Sequence, residues 1–100
     1  MEQFRKMKQS AVFLNTARGG LVEEAALAKA LQEGVIAGAA VDVFEREPCS
    51  DSPLFGLPNV ILTPHSGTYT KTTFTRMNRL AAQNIIDFFA GTLASHFRVL

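Results

Sequence analysis

The chain has little cysteine, almost no net charge and no long apolar run, and each of these shortages argues against a class of protein. Its one cysteine, Cys49, cannot form an internal disulfide, so we expect a protein of the reducing cytoplasm. Ten lysines and arginines against nine acids leave a net charge of +1, which argues against partners such as nucleic acid or a membrane surface. The longest apolar run, residues 35–41, is far too short to cross a bilayer, and the charged N-terminal residues predict no secretory leader.

Three short apolar runs predict strands of a parallel sheet. Residues 11–14, 36–41 and 59–62 have the apolar composition of strands that are buried on both faces. Residues 23–33 are rich in good helix formers, and Gly34 is suited to end that helix. A strand, a helix and a second strand form a right-handed parallel βαβ unit, so we expect an α/β fold.

A second, longer helix is predicted near the C-terminus, over residues 70–90, and Gly91 is suited to end it. Its apolar residues recur at helical spacing and form a wide stripe that needs a partner: Phe74, Met77, Leu80, Ile85 and Phe88. Residues 45–58, with three prolines, predict a loop that apolar Leu54, Phe55 and Leu57 hold down. A hundred residues make at most one domain.

Polar residues follow each predicted strand at the point where it ends. Arg18 follows the first strand, Asp42 and Glu47 follow the second, and His65 follows the third. In parallel sheets these ends share one edge, and ligands of open α/β proteins bind there. The alternative is that Asp42 only caps a turn and that the other acids are solvated, which is the usual situation of acids in proteins.

Three motifs, in this order, resemble the D-isomer-specific 2-hydroxyacid dehydrogenases. They are Asn-Thr-Ala-Arg-Gly-Gly at residues 15–20, Gly-Ala-Ala-Val-Asp-Val-Phe-Glu-Arg-Glu-Pro at 38–48, and Leu-Pro-Asn-Val-Ile-Leu-Thr-Pro-His at 57–65. The resemblance extends over residues 4–91, although the glycine-rich fingerprint of the family's first half is absent. It implies a partial Rossmann-like parallel sheet of three strands with a crossover helix, followed by a long C-terminal helix. Residues 1–69 would be the C-terminal half of the NAD-binding domain, and residues 70–100 would lead back to the substrate domain.

The resemblance also implies a catalytic set of three residues. Arg18 matches the arginine that binds the substrate carboxylate, a task that suits the planar fork of a guanidinium. His65 matches the general acid/base, and Glu47 matches the carboxylate that pairs with this histidine and favours its protonated form. A glutamate at position 47 argues against the formate dehydrogenase branch, which has glutamine there. We expect Glu45 and Arg46 to be solvated.

The implied cofactor is NAD or NADP. Asp42 matches the residue that hydrogen-bonds the nicotinamide carboxamide. The other residues implied at the cofactor are Thr16, Ala17, Arg18, His65, Ser66, Gly67 and Thr68. Ser66, Thr68 and Tyr69 depart from the family pattern, which has smaller or apolar residues there, so they bear on the shape of the substrate pocket. We expect no metal ion.

The function implied is hydride transfer between NAD(P)H and a small 2-keto or 2-hydroxy acid, with D specificity. Glyoxylate, hydroxypyruvate, D-lactate and phosphoglycerate enzymes share these motifs. By itself the chain is expected to be inactive and to bind NAD weakly, because it lacks the half that holds the pyrophosphate. Its uncovered strand at 11–14 and its apolar helix predict association, so we expect a homodimer. The alternatives are an NAD(H)-binding scaffold of the corepressor type and a non-catalytic association module of the same fold.

Overall fold

A computed structural model describes residues 1–98 of the chain. The described residues fall into two compact units, Met1–Gly67 and a unit that begins at Thr68. Between residues 1 and 98 there is no helix with both the length and the apolar character needed to cross a membrane.

The first unit contains the predicted parallel sheet. Its strands are β1 (Val12–Asn15), β2 (Gly38–Val41) and β3 (Val60–Leu62), and β2 lies between the other two. Asn15 lies opposite Val41, and Val41 lies opposite Leu62, so all three strands end at the same level. The α/β fold with three parallel strands is therefore confirmed. The predicted strand at 36–41 begins two residues later, at Gly38.

Helix α1 (Glu2–Arg5) precedes the sheet, and helix α2 (Glu24–Gln32) connects β1 to β2. The predicted apolar stripe of α2 is confirmed, since Leu27, Ala30 and Leu31 are all at most 3% exposed. They form one core with the inward side chains of the sheet and with Phe4 of α1. Burial of side chains such as Leu27 contributes about 1.5–3 kcal/mol each.

The long connection from β2 to β3 is held down mainly by Leu54, which is fully buried, and by Leu57, which packs against the core. The expectation that Phe55 also holds it down is only partly right. Phe55 is 47% exposed and touches the ring of Phe44 edge-on, with the ring centroids 6.5 Å apart. This loop carries Glu45 and Glu47, so its anchoring bears on the site.

The second unit consists mainly of α3 (Lys71–Phe89), with a short 3₁₀ turn at Ser95–Phe97. The Thr70 hydroxyl caps α3 by accepting a hydrogen bond from the Thr73 amide at 3.1 Å. Gly91 ends the helix with a φ of +73°, a conformation that glycine adopts without strain. The long C-terminal helix predicted from the sequence is confirmed. No residue of α3 is buried.

Candidate active site

Three chain segments leave the sheet at the carboxyl ends of its strands. The hydrogen bonding between neighbouring strands continues one residue beyond the last paired residues. The Asp42 amide donates to the Asn15 carbonyl and the Thr63 amide donates to the Val41 carbonyl, both at 3.0 Å. The loops after β1, β2 and β3 therefore begin side by side. This edge is where parallel α/β sheets bind their ligands.

The loop after β1 is shaped by Asn15, whose side chain is buried. Its Oδ1 accepts from the Ala17 amide at 3.2 Å, and its Nδ2 donates to the Arg18 carbonyl at 3.0 Å. This local turn is a typical use of asparagine, and it leaves Thr16, Ala17 and Arg18 exposed. The Arg18 guanidinium donates to the Ala17 carbonyl at 2.7 Å.

Glu47 and His65 meet across the edge of the sheet. Glu47 Oε2 lies 2.7 Å from His65 Nδ1, and Glu47 Oε1 accepts a hydrogen bond from the Phe44 amide at 3.0 Å. The bond with His65 is the main cause that holds the pKa of Glu47 below its ordinary value, followed by the Phe44 amide, and the positive charge of Arg18 also lowers it. Both oxygens of this carboxylate are thus engaged, and the ring is oriented by one of them.

His65 has a φ of +52°, which is uncommon for a residue with a side chain. Such conformations persist only where neighbouring contacts hold them, and they cluster at functional sites. The imidazole is about half exposed, so the ring is held at Nδ1 while remaining open to solvent.

Asp42 holds the turn that carries His65. Its Oδ1 accepts from the Thr63 hydroxyl and from the Ser66 amide, the latter at 2.9 Å, and its Oδ2 accepts from the Gly67 amide at 2.9 Å. These bonds lower the pKa of Asp42, the Thr63 hydroxyl most strongly. The sequence pattern suggested a contact with the cofactor or a local turn cap. It did not reveal that Asp42 hydrogen-bonds a turn more than twenty residues later in the chain.

The other predicted cofactor residues lie in different surroundings. Ser66 is partly buried, and its amide is bound to Asp42. Thr68 belongs to the second unit, where its carbonyl accepts from the Thr70 amide at 2.8 Å. Across residues 1–98 there is no group of three or more histidine, cysteine or acidic residues that could hold a metal ion.

Glu45 is exposed, as expected, but its carboxylate accepts a hydrogen bond that the sequence did not predict. Glu45 Oε1 accepts from the Glu24 amide at 2.6 Å, and Glu24 Oε1 accepts from the Glu45 amide at 2.7 Å. We call this reciprocal pair the Glu24–Glu45 clasp. Glu23 occupies the N-cap position of α2 without capping it through its side chain. The first amides of a helix have no acceptor within the helix, so the Glu45 carboxylate provides the acceptor that the Glu23 side chain does not. Arg46 is exposed, as expected.

Glu24 is a buried acid that sequence reasoning missed. Only 8% of its surface is exposed, and its Oε2 accepts a hydrogen bond from the Ser52 hydroxyl. Ser52 is also buried, and its oxygen accepts from the Leu54 amide at 3.3 Å. A charged glutamate is seldom buried unless it is well hydrogen-bonded, and Glu24 meets that condition. Its position in the first turn of a predicted helix was the only signal in the sequence.

Residues 1–67 match the NAD-binding domain of the D-isomer specific 2-hydroxyacid dehydrogenases. The chain is 50% identical over 93 residues to glyoxylate/hydroxypyruvate reductase B of Escherichia fergusonii and 48% identical over 93 residues to glyoxylate reductase of Korarchaeum cryptofilum. Each alignment covers 92% of this chain but only 29% and 28% of the respective relative. The chain therefore spans less than a third of the length of these relatives.

Solved structures show the same likeness. A Sinorhizobium meliloti NADPH-dependent glyoxylate/hydroxypyruvate reductase, in complex with NADP and malonate, is 41% identical with a TM-score of 0.77, covering 86% of this chain and 27% of that one. D-lactate dehydrogenase with NAD+ from Lactobacillus jensenii is 35% identical with a TM-score of 0.77, covering 99% and 34%. With its parallel sheet and its matched residues 1–67, the chain belongs to the NAD-binding domain family of the D-isomer specific 2-hydroxyacid dehydrogenases.

Proposed function

We propose that the chain is part of an oxidoreductase that transfers hydride between NAD(P)H and a small 2-keto or 2-hydroxy acid, with His65 as the general acid/base. The observation that carries this proposal is the 2.7 Å contact between His65 Nδ1 and Glu47 Oε2 at the carboxyl edge of the sheet. A histidine that a carboxylate holds in one orientation is well suited to proton transfer to a substrate oxygen.

The residues at this edge are suited to a nicotinamide cofactor, which supplies the hydride when it is bound. Thr16, Ala17 and Arg18 are exposed on the loop after β1, beside the strand ends where such cofactors bind. Asp42 follows the central strand, and among the described residues its Oδ2 accepts only the Gly67 amide, so this oxygen can accept a second hydrogen bond from a carboxamide N–H. Ser66 and Gly67 follow β3 at the same edge. The role of Thr68 stays a prediction from the resemblance.

The contact with Glu47 supports Nε2 of His65 as the nitrogen that carries the reacting proton. Nδ1 faces Glu47, so Nε2 is the nitrogen left to serve the substrate. In reduction, the hydride adds to the keto carbon while the carbonyl oxygen takes the proton from Nε2 and becomes the hydroxyl group. In oxidation, the neutral ring accepts that proton again. Ionised Glu47 favours the protonated ring and so supports the reductive direction.

Arg18 is proposed to bind the substrate carboxylate and its keto oxygen. Arg18→Lys keeps the charge but loses the planar fork of donors, so we expect a clear fall in kcat/KM for the keto acid, mostly through a higher KM. Steady-state kinetics with a matched Arg46→Lys control check this, since Arg46 is also exposed on a neighbouring loop. Equal effects of the two substitutions would show that the position of Arg18 has no special role.

The pH profile tests the pair formed by Glu47 and His65. Because the pKa of Glu47 is lowered, Glu47 is ionised throughout the neutral range and its bond to His65 is lost only in acid. Glu47→Gln removes the charge that favours the protonated ring, so the variant is expected to lose reductase activity at alkaline pH first. Oxidation of the 2-hydroxy acid, which needs the neutral ring, is expected to extend to lower pH. Unchanged profiles in both directions would contradict the proposed coupling.

Activity is measured on the complete enzyme, meaning this chain together with the further segments that its relatives have. It can be a natural full-length protein or a chimera in which the chain replaces the segment it matches in the Escherichia fergusonii reductase. We expect glyoxylate or hydroxypyruvate to drive oxidation of NADH or NADPH. A folded enzyme that binds the cofactor without turning over any 2-keto acid would contradict the proposal and favour the scaffold alternative.

We further propose that residues 1–69 form the C-terminal half of an NAD-binding domain, that residues 70–100 lead to a substrate domain, and that the enzyme is a cytoplasmic homodimer. The match over residues 1–67 supports the first part. Uncovered apolar side chains on the edge strand β1, Val12 and Leu14, support the need for a further covering segment or a second copy.

A further inference from the structure

The backbone that carries Glu47 is fixed from the side of helix α2 by the Glu24–Glu45 clasp. Within the clasp, the Glu24 carboxylate accepts a hydrogen bond from the Glu45 amide, and the Glu45 carboxylate accepts one from the Glu24 amide. The Glu45 carboxylate accepts from the first amide of α2, where negative charge is favoured, and the Glu24 carboxylate is stabilised by hydrogen bonds from the Glu45 amide and the Ser52 hydroxyl. Ser52 donates a hydrogen bond to the other oxygen of Glu24, which takes no part in the clasp.

The same backbone is also confined by Gly19. A Cβ added to Gly19 would lie 1.9 Å from both the carbonyl carbon and the carbonyl oxygen of Phe44, and 2.5 Å from the amide nitrogen of Glu45. The segment from Phe44 to Glu45 is therefore in close contact with both Gly19 and the first turn of α2. Such close packing leaves it little freedom to shift.

This segment determines where Glu47 points. The Phe44 amide donates to Glu47 Oε1, and the other oxygen of Glu47 reaches His65. The adjacent amide, that of Glu45, is the one bound to Glu24. Two consecutive amides thus connect the buried acid of α2 with the carboxylate that orients the histidine.

We propose that Glu24 is a positioning residue for proton transfer: its buried carboxylate holds the Phe44–Glu45 backbone so that Glu47 stays in contact with His65. The inference rests on the proposed function, since it assigns no chemistry to Glu24 itself. Glu24 hydrogen-bonds Glu45 and Ser52 rather than His65 or Arg18, so its effect on the reaction passes through the loop. A displacement of about 1 Å in such a supporting group can cost on the order of a hundredfold in rate.

Three substitutions in the complete enzyme separate positioning from general stability. Glu24→Ala removes the acceptor of the Glu45 amide. Glu24→Asp keeps the charge near the helix N-terminus but is one methylene too short to hold both the Glu45 amide and Ser52 as glutamate does. Glu24→Gln keeps an oxygen that can accept from the Glu45 amide. Ser52→Ala is the matched control, because it removes the other partner of the same carboxylate and leaves the clasp in place.

The readouts are kcat for keto-acid reduction, its pH profile and the melting temperature. We expect Glu24→Ala and Glu24→Asp to lower kcat roughly tenfold to hundredfold and to move the alkaline loss of activity to lower pH, as Glu47→Gln does. We expect Glu24→Gln to recover most of kcat, and Ser52→Ala to keep the wild-type profile even where it lowers the melting temperature. On a Glu47→Gln background, Glu24→Asp is expected to add little, because both changes act on one interaction.

Glu24→Asp provides the test if Glu24→Ala does not fold. The inference is overturned if a folded Glu24→Asp enzyme keeps the wild-type pH profile, or if its effect multiplies fully with that of Glu47→Gln. These results would leave the proposed function intact, because the wild-type enzyme would still turn over and still depend on His65. Failure of the proposed function would appear separately, as a wild-type enzyme without turnover.

Discussion

Replacement of His65 by alanine in the complete enzyme is expected to lower kcat for keto-acid reduction about 100- to 10,000-fold, the range typical of a general acid. The reason is that the keto oxygen must gain a proton as the hydride adds, and Nε2 of His65 is the nitrogen that the contact with Glu47 leaves available. Binding of NAD(P)H is expected to stay near the wild-type value, since Arg18, Asp42 and the loop after β1 are unchanged.

The control for this variant is the other histidine of the chain, His96. It lies in the 3₁₀ turn at Ser95–Phe97, where its ring stacks at a tilt on Phe97. His96→Ala is expected to leave kcat unchanged. Cofactor titration alongside the kinetics distinguishes a lost proton donor from a lost fold. A His65→Ala enzyme that still binds cofactor and turns over at nearly the wild-type rate would show that His65 is not the acid.

Gly19→Ala is expected to have the largest effect on stability of any single methyl group added to the chain. The new Cβ would overlap the carbonyl of Phe44, which is backbone and cannot rotate away as a side chain could. Overpacking typically costs about 1–3 kcal/mol of unfolding free energy and occasionally more, and we expect this substitution at or above the upper end. Relief of the overlap requires a shift of the segment that the Glu24–Glu45 clasp holds.

Gly20→Ala is the matched control, because a Cβ at Gly20 meets nothing within 4 Å. Urea or thermal unfolding of both variants in the complete enzyme measures the difference. We expect Gly20→Ala to unfold close to wild type and Gly19→Ala to unfold well below it, with reduced kcat in the fraction that remains folded. Equal stability of the two variants would mean that Gly19 and Phe44 are not packed as the structure shows.

The fold was largely predictable because its elements have strong local signals. Short apolar runs bounded by polar residues predicted β1, β2 and β3, and a run of good helix formers ending at a glycine predicted α2. The residues at which these elements begin and end were less predictable. The second strand starts at Gly38 instead of Ile36, since the paired residues begin with Val12 and Gly38 and only one bond, from the Ala37 amide to the Ala11 carbonyl at 2.9 Å, precedes them. Hydrogen bonds to a neighbouring strand set that limit, and the sequence of one strand does not contain them.

The site was predictable in part, for the same reason: its motif residues have local signals, and its supporting contacts do not. Arg18, Glu47 and His65 could be chosen because each follows a strand and lies in a recognisable motif. The supporting contacts could not, because they join residues that are far apart along the chain: Glu24 with Ser52, and Asp42 with the turn after β3. Glu45 looked like one more solvated acid, and only the folded loop brings it to the N-terminus of α2.

The most direct test of the proposed reaction is to follow the hydride itself. The complete enzyme is given hydroxypyruvate together with NADH or NADPH in which both hydrogens at C4 of the dihydronicotinamide are deuterium. The product is analysed for its deuterium content at C2 and for its configuration. We expect D-glycerate with deuterium bound to C2, because hydride adds to the keto carbon while His65 protonates the oxygen. Product of L configuration, or product whose C2 carries no deuterium, would contradict the assignment of this chain to D-specific hydride transfer.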